Sequence, residues 1–112
     1  MARYVELRYV RTWYDEYGGG EPLVLLHPGG ADARAWGPNL EALAARFHVF
    51  TPERRGHGRT PDVEGPITYE LMAEDTIAFL EDVVGGAARL VGSSAGATVA
   101  LLVALRRPDL AG

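Results

Sequence analysis

Between residues 4 and 17 apolar and polar side chains alternate loosely, Val5, Leu7 and Tyr9 against Glu6 and Arg8, with many aromatics among them. Alternation with a period of two predicts a pair of strands, and Gly18-Gly19-Gly20 predicts the turn that ends them. Leu23 to Leu26 is short and wholly apolar, the pattern of a central strand covered on both faces, and His27-Pro28-Gly29-Gly30 closes it. Trp36, Leu40, Leu43 and Phe47 then recur at spacings of 4, 3 and 4, which lays them along one face of an amphipathic helix. His48 to Thr51 reads as another short strand stopped by Pro52, and Arg55 to Arg59 as a Gly-rich loop. Met72, Thr76, Phe79, Leu80 and Val83 mark a second amphipathic helix, which stops at Gly85-Gly86. A strand over Ala88 to Val91 and a long helix over Ala95 to Leu105 follow. That helix is apolar all round and is expected to be buried. Arg106-Arg107 suit its negative C-terminal end, and Pro108 blocks continuation.

Strands that alternate with helices predict an α/β fold with a mostly parallel sheet, about five strands and three flanking helices. At 112 residues the chain is one domain at most. Fifteen acids against eleven bases give a net charge of −4, and every base is arginine. With no basic cluster beyond the doublets Arg54-Arg55 and Arg106-Arg107, nucleic acid is not an expected partner. The absence of lysine excludes Schiff-base chemistry and a P-loop; the absence of cysteine excludes thiol nucleophiles, disulfides and zinc–thiolate sites. Met1 to Arg11 is charged and alternating, unlike a signal peptide. The longest apolar run, Val99 to Leu105, is far short of the ~20 residues that span a bilayer. The expectation is a cytoplasmic protein without membrane attachment, and the Ala-, Arg- and Gly-rich composition suggests a bacterial source.

The chain's two serines, Ser93 and Ser94, lie together inside Gly92-Ser93-Ser94-Ala95-Gly96. This is a G-x-S-x-G match centred on Ser94, preceded by a strand and followed by a helix. A serine on such a turn projects its hydroxyl above the sheet edge, and Gly92 and Gly96 are needed because the strand and helix backbones converge there. Gly29-Gly30, just after the buried strand, can offer backbone N–H groups to a developing oxyanion, with the Ala95 N–H as a further donor. Pro28 has no N–H, so the loop's donor is Gly29 or Gly30. His27 fits a loop-fixing hydrogen bond better than a catalytic base. His48 reads as structural and His57 as a turn residue. Asp32, Asp62 and Asp75 read as a turn, a loop and an exposed helix face, and none is spaced from a histidine as a metal site requires. No metal or cofactor is expected. The rival reading of Gly92 to Gly96 as a dinucleotide-phosphate turn fails for want of a third glycine, since Thr98 stands where it would be sought.

Taken in order, these segments resemble the α/β-hydrolase family, over essentially the whole chain. Leu25-Leu26-His27-Pro28-Gly29-Gly30 is similar to the family's strand and oxyanion loop. Thr51-Pro52-Glu53-Arg54-Arg55-Gly56-His57-Gly58-Arg59-Thr60 is similar to its Asp-x-Arg-Gly-His-Gly-x-Ser loop. Val91-Gly92-Ser93-Ser94-Ala95-Gly96 resembles its nucleophile elbow. The chain departs from the pattern in having Pro28 where His-Gly is usual, Arg8-Tyr9 where a glycine-containing hairpin turn is common, and Glu53 or Arg54 in place of the usual acid.

The resemblance implies a serine hydrolase acting on a small-molecule ester or other acyl substrate, and a serine nucleophile disfavours the epoxide hydrolase and dehalogenase branches. It also implies an acid and then a histidine after the nucleophile. Eighteen residues follow Ser94, with one acid, Asp109, and no histidine. The expectation is therefore a single partial domain over residues 1–112, the N-terminal half of the fold, cut after the nucleophile-elbow helix. Alone it should hydrolyse esters near the background rate. Two other readings stand beside this one: a non-catalytic hydrolase-like binding module, and one subunit of a split hydrolase. In each, Leu90 and Val91 would lie on an open strand edge, prone to self-association or to pairing with a partner chain.

Overall fold

The computed structural model describes residues 2–8, 10–61 and 67–111; Tyr9 and Asp62 of the sequence reading lie outside these. The elements are β1 (Arg3–Leu7), β2 (Val10–Tyr17), β3 (Glu21–Leu26), α1 (Gly37–Ala44), β4 (Phe47–Pro52), α2 (Tyr69–Phe79), β5 (Arg89–Gly92) and α3 (Ala95–Arg106). A short 3₁₀ turn over Ala33–Trp36 leads into α1, and a wider π-helical turn over Leu80–Val84 continues α2. The α/β fold with five strands and three helices is as the hydrophobic pattern predicts.

The sheet is mixed, in the order β1-β2-β4-β3-β5. The hairpin β1-β2 is antiparallel and packs antiparallel on β4. β4, β3 and β5 form the parallel part. β3 lies in the middle, and its run Leu23–Leu26 is buried on both sides as expected. Its side chains divide with a period of two. Val24 and Leu26 join Phe50, Phe79, Val99 and Val103 under α2 and α3. Leu23 and Leu25 join Val49, Leu40 and Leu43 under α1. The chain leaves β3 for β4 on one side and later crosses to β5 on the other. The C-terminal end of β3 is thus a topological switch point, the place where open α/β sheets leave a crevice for ligands.

Three readings of the sequence are corrected. Phe47 opens β4, paired with Glu21, and does not close α1: its apolar side chain serves the same cluster from a strand. Helix α3 is buried along one stripe only, Gly96, Val99 and Val103, while Leu101 and Leu105 are 60% and 70% exposed. The sheet and α2 cover a single side of it. Asp75 does not lie on an exposed face; it is mostly buried and ion-paired to Arg55. Arg8, where a glycine would sit easily, takes φ 48° and is anchored to Asp75 and Glu74 at 3.0 and 3.1 Å. Among the described residues, no helix is long and apolar enough to cross a membrane.

Candidate active site

The loops after β3, β4 and β5 meet at the switch point. Ser94, between β5 and α3, is exposed and adopts φ 54°, ψ −115°, a region that costs a non-glycine residue of order 1–3 kcal/mol. The turn holds it there. The Ser93 carbonyl accepts from Gly96 N–H and the Ser94 carbonyl from Ala97 N–H, both at 2.9 Å, while Ser93 N–H reaches across to Leu26 O at 3.2 Å. Gly92 and Gly96 are required sterically. A Cβ on Gly92 would fall onto the Gly96 backbone, and one on Gly96 onto the carbonyls of Leu26 and His27. Sequence spacing anticipated this convergence.

The turn after β3 closes with an Ala31 N–H to Pro28 O bond at 3.3 Å, and Gly30 takes φ 72°, the left-handed position of a type II turn. It brings Gly29 against the start of α3, where a Cβ on Gly29 would come within 3.3 Å of the Ala95 Cβ. Gly29 and Ala95, more than sixty residues apart in sequence, are therefore neighbours, and Gly30 follows Gly29 in the same turn. Among the described residues, none of their N–H groups donates to a backbone carbonyl. Ala95 is also the first residue of α3, where N–H groups point out of the helix and the dipole favours negative charge.

His27 is fully buried. Its Nδ1 lies 2.8 Å from the carbonyl of Pro28, and its Nε2 lies 3.1 Å from the backbone nitrogen of Arg54. The first contact needs a proton on Nδ1 and the second a lone pair on Nε2, so the ring is the neutral Nδ1–H tautomer. Burial pushes its pKa down to about 4, helped by the nearby Arg54 and His57 and opposed by the Pro28 carbonyl. A ring with both nitrogens engaged is a brace between two loops.

The loop after β4 is fixed by its charged residues. The buried Glu53 carboxylate accepts from Ala33 N–H at 3.0 Å, and from Arg59 N–H and Nε at 2.7 and 3.0 Å. Burial would raise its pKa, but the Arg59 contacts and the Ala33 N–H outweigh burial and hold it below the usual carboxylate range. Arg55 donates through Nε and Nη2 to Asp75 at 2.7 and 2.9 Å. Thr60 Oγ accepts from Trp13 N–H at 2.9 Å, and the Arg59 guanidinium stacks on the Trp13 ring at 3.7 Å. His48 is structural, within 2.7 Å of Glu16 on β2, and Asp32 caps the 3₁₀ turn by accepting from Arg34 N–H.

An open cleft of about 490 Å³ lies against these loops, lined by Gly29, Arg54, His57, Tyr69, Met72 and Ala95 among others. Arg54, His57 and Tyr69 were not singled out as site residues by the sequence. The position of Arg54 beside a recognisable motif was the only available signal. Among the described residues, no set of three or more His, Cys, Asp or Glu could hold a metal ion.

Comparison with known proteins agrees with this geometry. The model of the alpha/beta hydrolase family matches residues 23–112. The (E)-2-((N-methylformamido)methylene)succinate hydrolase of Acinetobacter baylyi is 33% identical over 111 residues, covering 98% of this chain and 42% of its own length. Among solved structures, Est816, an N-acyl homoserine lactone degrading enzyme, is similar with a TM-score of 0.91 and 31% identity over 97% of this chain and 42% of its own. The enol-lactonase from Burkholderia xenovorans LB400 gives a TM-score of 0.93 and 26% identity over 97% of this chain and 44% of its own. The chain thus spans about two fifths of the length of these relatives. It belongs to the alpha/beta hydrolase family.

Proposed function

We propose that this chain carries the nucleophile and oxyanion hole of a serine hydrolase for a small-molecule ester, lactone or related acyl compound. The observation that supports it best is the strained Ser94, held beside Ala95, with Gly29 packed against that residue. In this reading Ser94 Oγ attacks the substrate carbonyl. The developing oxyanion takes N–H bonds from Ala95 and from Gly29 or Gly30, while His27, Gly92 and Gly96 hold the loops in place. The relatives' names, a succinate-derivative hydrolase and lactone-cleaving enzymes, fit acyl chemistry. Among the described residues no histidine bonds to Ser94. The acid and base are assigned to sequence beyond residues 1–112, and these residues to one partial domain. Loss of the base from a serine triad typically costs on the order of 10⁶ in turnover, so the chain alone should hydrolyse p-nitrophenyl acetate near the background rate. A bacterial, cytoplasmic setting belongs to the same reading, its bacterial part supported by relatives from bacteria.

The test is covalent labelling. A fluorophosphonate should modify Ser94, faster when imidazole is supplied as a diffusible base, and Ser94→Ala should remove the adduct. Mass spectrometry that finds no Ser94 adduct with imidazole, and none when a chain supplying the missing acid and histidine is added, would overturn the serine reading in favour of a binding module.

A second reading, completion in trans, is favoured by the open side of β5. The strand ends the sheet, with Val91 44% exposed. Just before it, Ala88 forms a parallel bridge to Ala111, the first rung of a further strand. A second copy or a partner chain could continue that ladder.

A further inference from the structure

Among the described residues, Arg54 is a buried cation without a counter-ion. Only 5% of the residue is exposed. Nη2 donates to the carbonyl of His27, while Nε and Nη1 are buried with no hydrogen-bond partner. The neighbouring acids are committed elsewhere. Glu53 is bound by Arg59 and the Ala33 N–H, and Asp75 by Arg55 and Arg8. Burial lowers the Arg54 pKa to about 10, and Tyr69 opposes that shift. At this value the guanidinium is still charged at neutral pH. Buried charges are almost always paired, and buried N–H groups almost always bonded. An exception calls for a partner that the protein does not supply.

Arg54 lines the same cleft as Gly29 and Ala95. We infer that Arg54 binds a carboxylate of the substrate, so that the acyl compound cleaved is an ester, lactone or amide that also bears a free acid. This rests on the serine-hydrolase reading and specifies its substrate class. Nη1, unpartnered but enclosed, and the second proton of Nη2 form an end-on pair of donors that matches a carboxylate, which must displace the atoms covering Nη1 to reach it. The bond to His27 O fixes the guanidinium plane, and His27 is itself braced by the Arg54 N–H. The acid-binding group and the oxyanion loop are thus one rigid unit. A neutral ester leaves the arginine unsatisfied, and the selectivity follows from that difference. Glu70, which also borders the cleft, favours a monoanion over a more highly charged ligand. The competing occupant is a water. A cavity of about 20 Å³ lined by Thr12, Glu53, Arg54 and Asp75 is large enough for one.

Titration of the protein with monomethyl succinate and with dimethyl succinate, followed by ¹⁵N NMR including the Arg54 Nε–H resonance, separates the two. The acid ester should bind roughly tenfold more tightly than the diester and move that resonance. Arg54→Met should abolish the preference. Arg54→Lys, which keeps the charge without the planar donors, should reduce it severalfold and serves where the Met variant does not fold. Equal affinity for both esters, or a preference that survives both variants, would show that the guanidinium is satisfied by water and overturn the assignment. Fluorophosphonate labelling of the same samples distinguishes the failures. A labelled Ser94 without acid preference overturns the role of Arg54 alone. An acid preference without labelling overturns the serine reading alone, and Ser94→Ala should retain the preference.

Discussion

The Nε2 of His27 accepts the backbone N–H of Arg54 at 3.1 Å. One imidazole therefore ties the loop after β3 to the loop after β4, and it does so only while neutral. The unfolded ring titrates near 6.5, and burial pushes the folded one down to about 4. Between these values the unfolded chain binds more protons, so stability rises with pH. The His27 contribution is fully present above about pH 6.5 and is lost as pH falls through about 4. At about 1.4 kcal/mol per unit the loss amounts to a few kcal/mol. Urea midpoints from pH 7 to 4 should fall for the wild type and fall less steeply for His27→Gln. Parallel curves for the two proteins would refute the brace.

Ser94 is one of two non-glycine residues with positive φ, among those described. Ser94→Gly relieves that strain, offset in part by the greater entropy of an unfolded glycine. The variant should be more stable by about 1 kcal/mol, seen as a higher urea midpoint at unchanged slope, and should lose all fluorophosphonate labelling. A destabilised glycine variant would mean that the turn is held by contacts of the serine side chain, not against its backbone preference.

Much of this was legible because it is local. The elbow reads directly from Gly92-Ser93-Ser94-Ala95-Gly96, since steric need for small residues at fixed offsets leaves a mark in sequence. So does the burial of β3 on both faces, since Leu23 to Leu26 are all apolar. What sequence could not supply was pairing across distance. Arg54 and Arg55 look alike as a basic doublet, yet Arg55 meets Asp75 and Arg54 turns under the cleft without an acid. Asp75 looks like a solvated helix residue until that arginine arrives. Leu101 and Leu105 follow the same apolar pattern as Val99 and Val103, and only the one-sided placement of the sheet and α2 separates them.

The Arg55–Asp75 pair should act as a unit. Asp75→Asn leaves a mostly buried guanidinium without its full counter-charge, for an expected loss of about 2–3 kcal/mol. Arg55→Met should cost a similar amount. The double variant should cost clearly less than the two losses combined, because no buried charge remains unmatched. Chemical denaturation of the four proteins measures the coupling, and simple additivity would mean that the fork contributes nothing of its own.

On the reading of completion in trans, the exposed side of β5 governs association of the chain in solution. Among the described residues, Leu90 to Gly92 have β3 on one flank only, Val91 is 44% exposed, and α3 directs Leu101 and Leu105 outward. An unpaired strand edge beside apolar surface is a template for another chain. Light scattering should show self-association that grows with concentration, together with protection from hydrogen exchange of the Leu90 and Gly92 amides, which lie on the side of β5 away from β3 because Ser93 N–H at the end of the strand faces Leu26 O. Val91→Lys should reduce both, because a charge on an edge strand is expensive to bury between sheets. Leu101→Glu with Leu105→Glu should reduce association without changing Leu90 and Gly92 protection in the remaining oligomer, since the helix supplies apolar area and the strand supplies the hydrogen bonds. A wild-type chain that stays monomeric at every concentration would remove the β5 edge as a docking surface, and with it the reading in which a second copy completes the sheet.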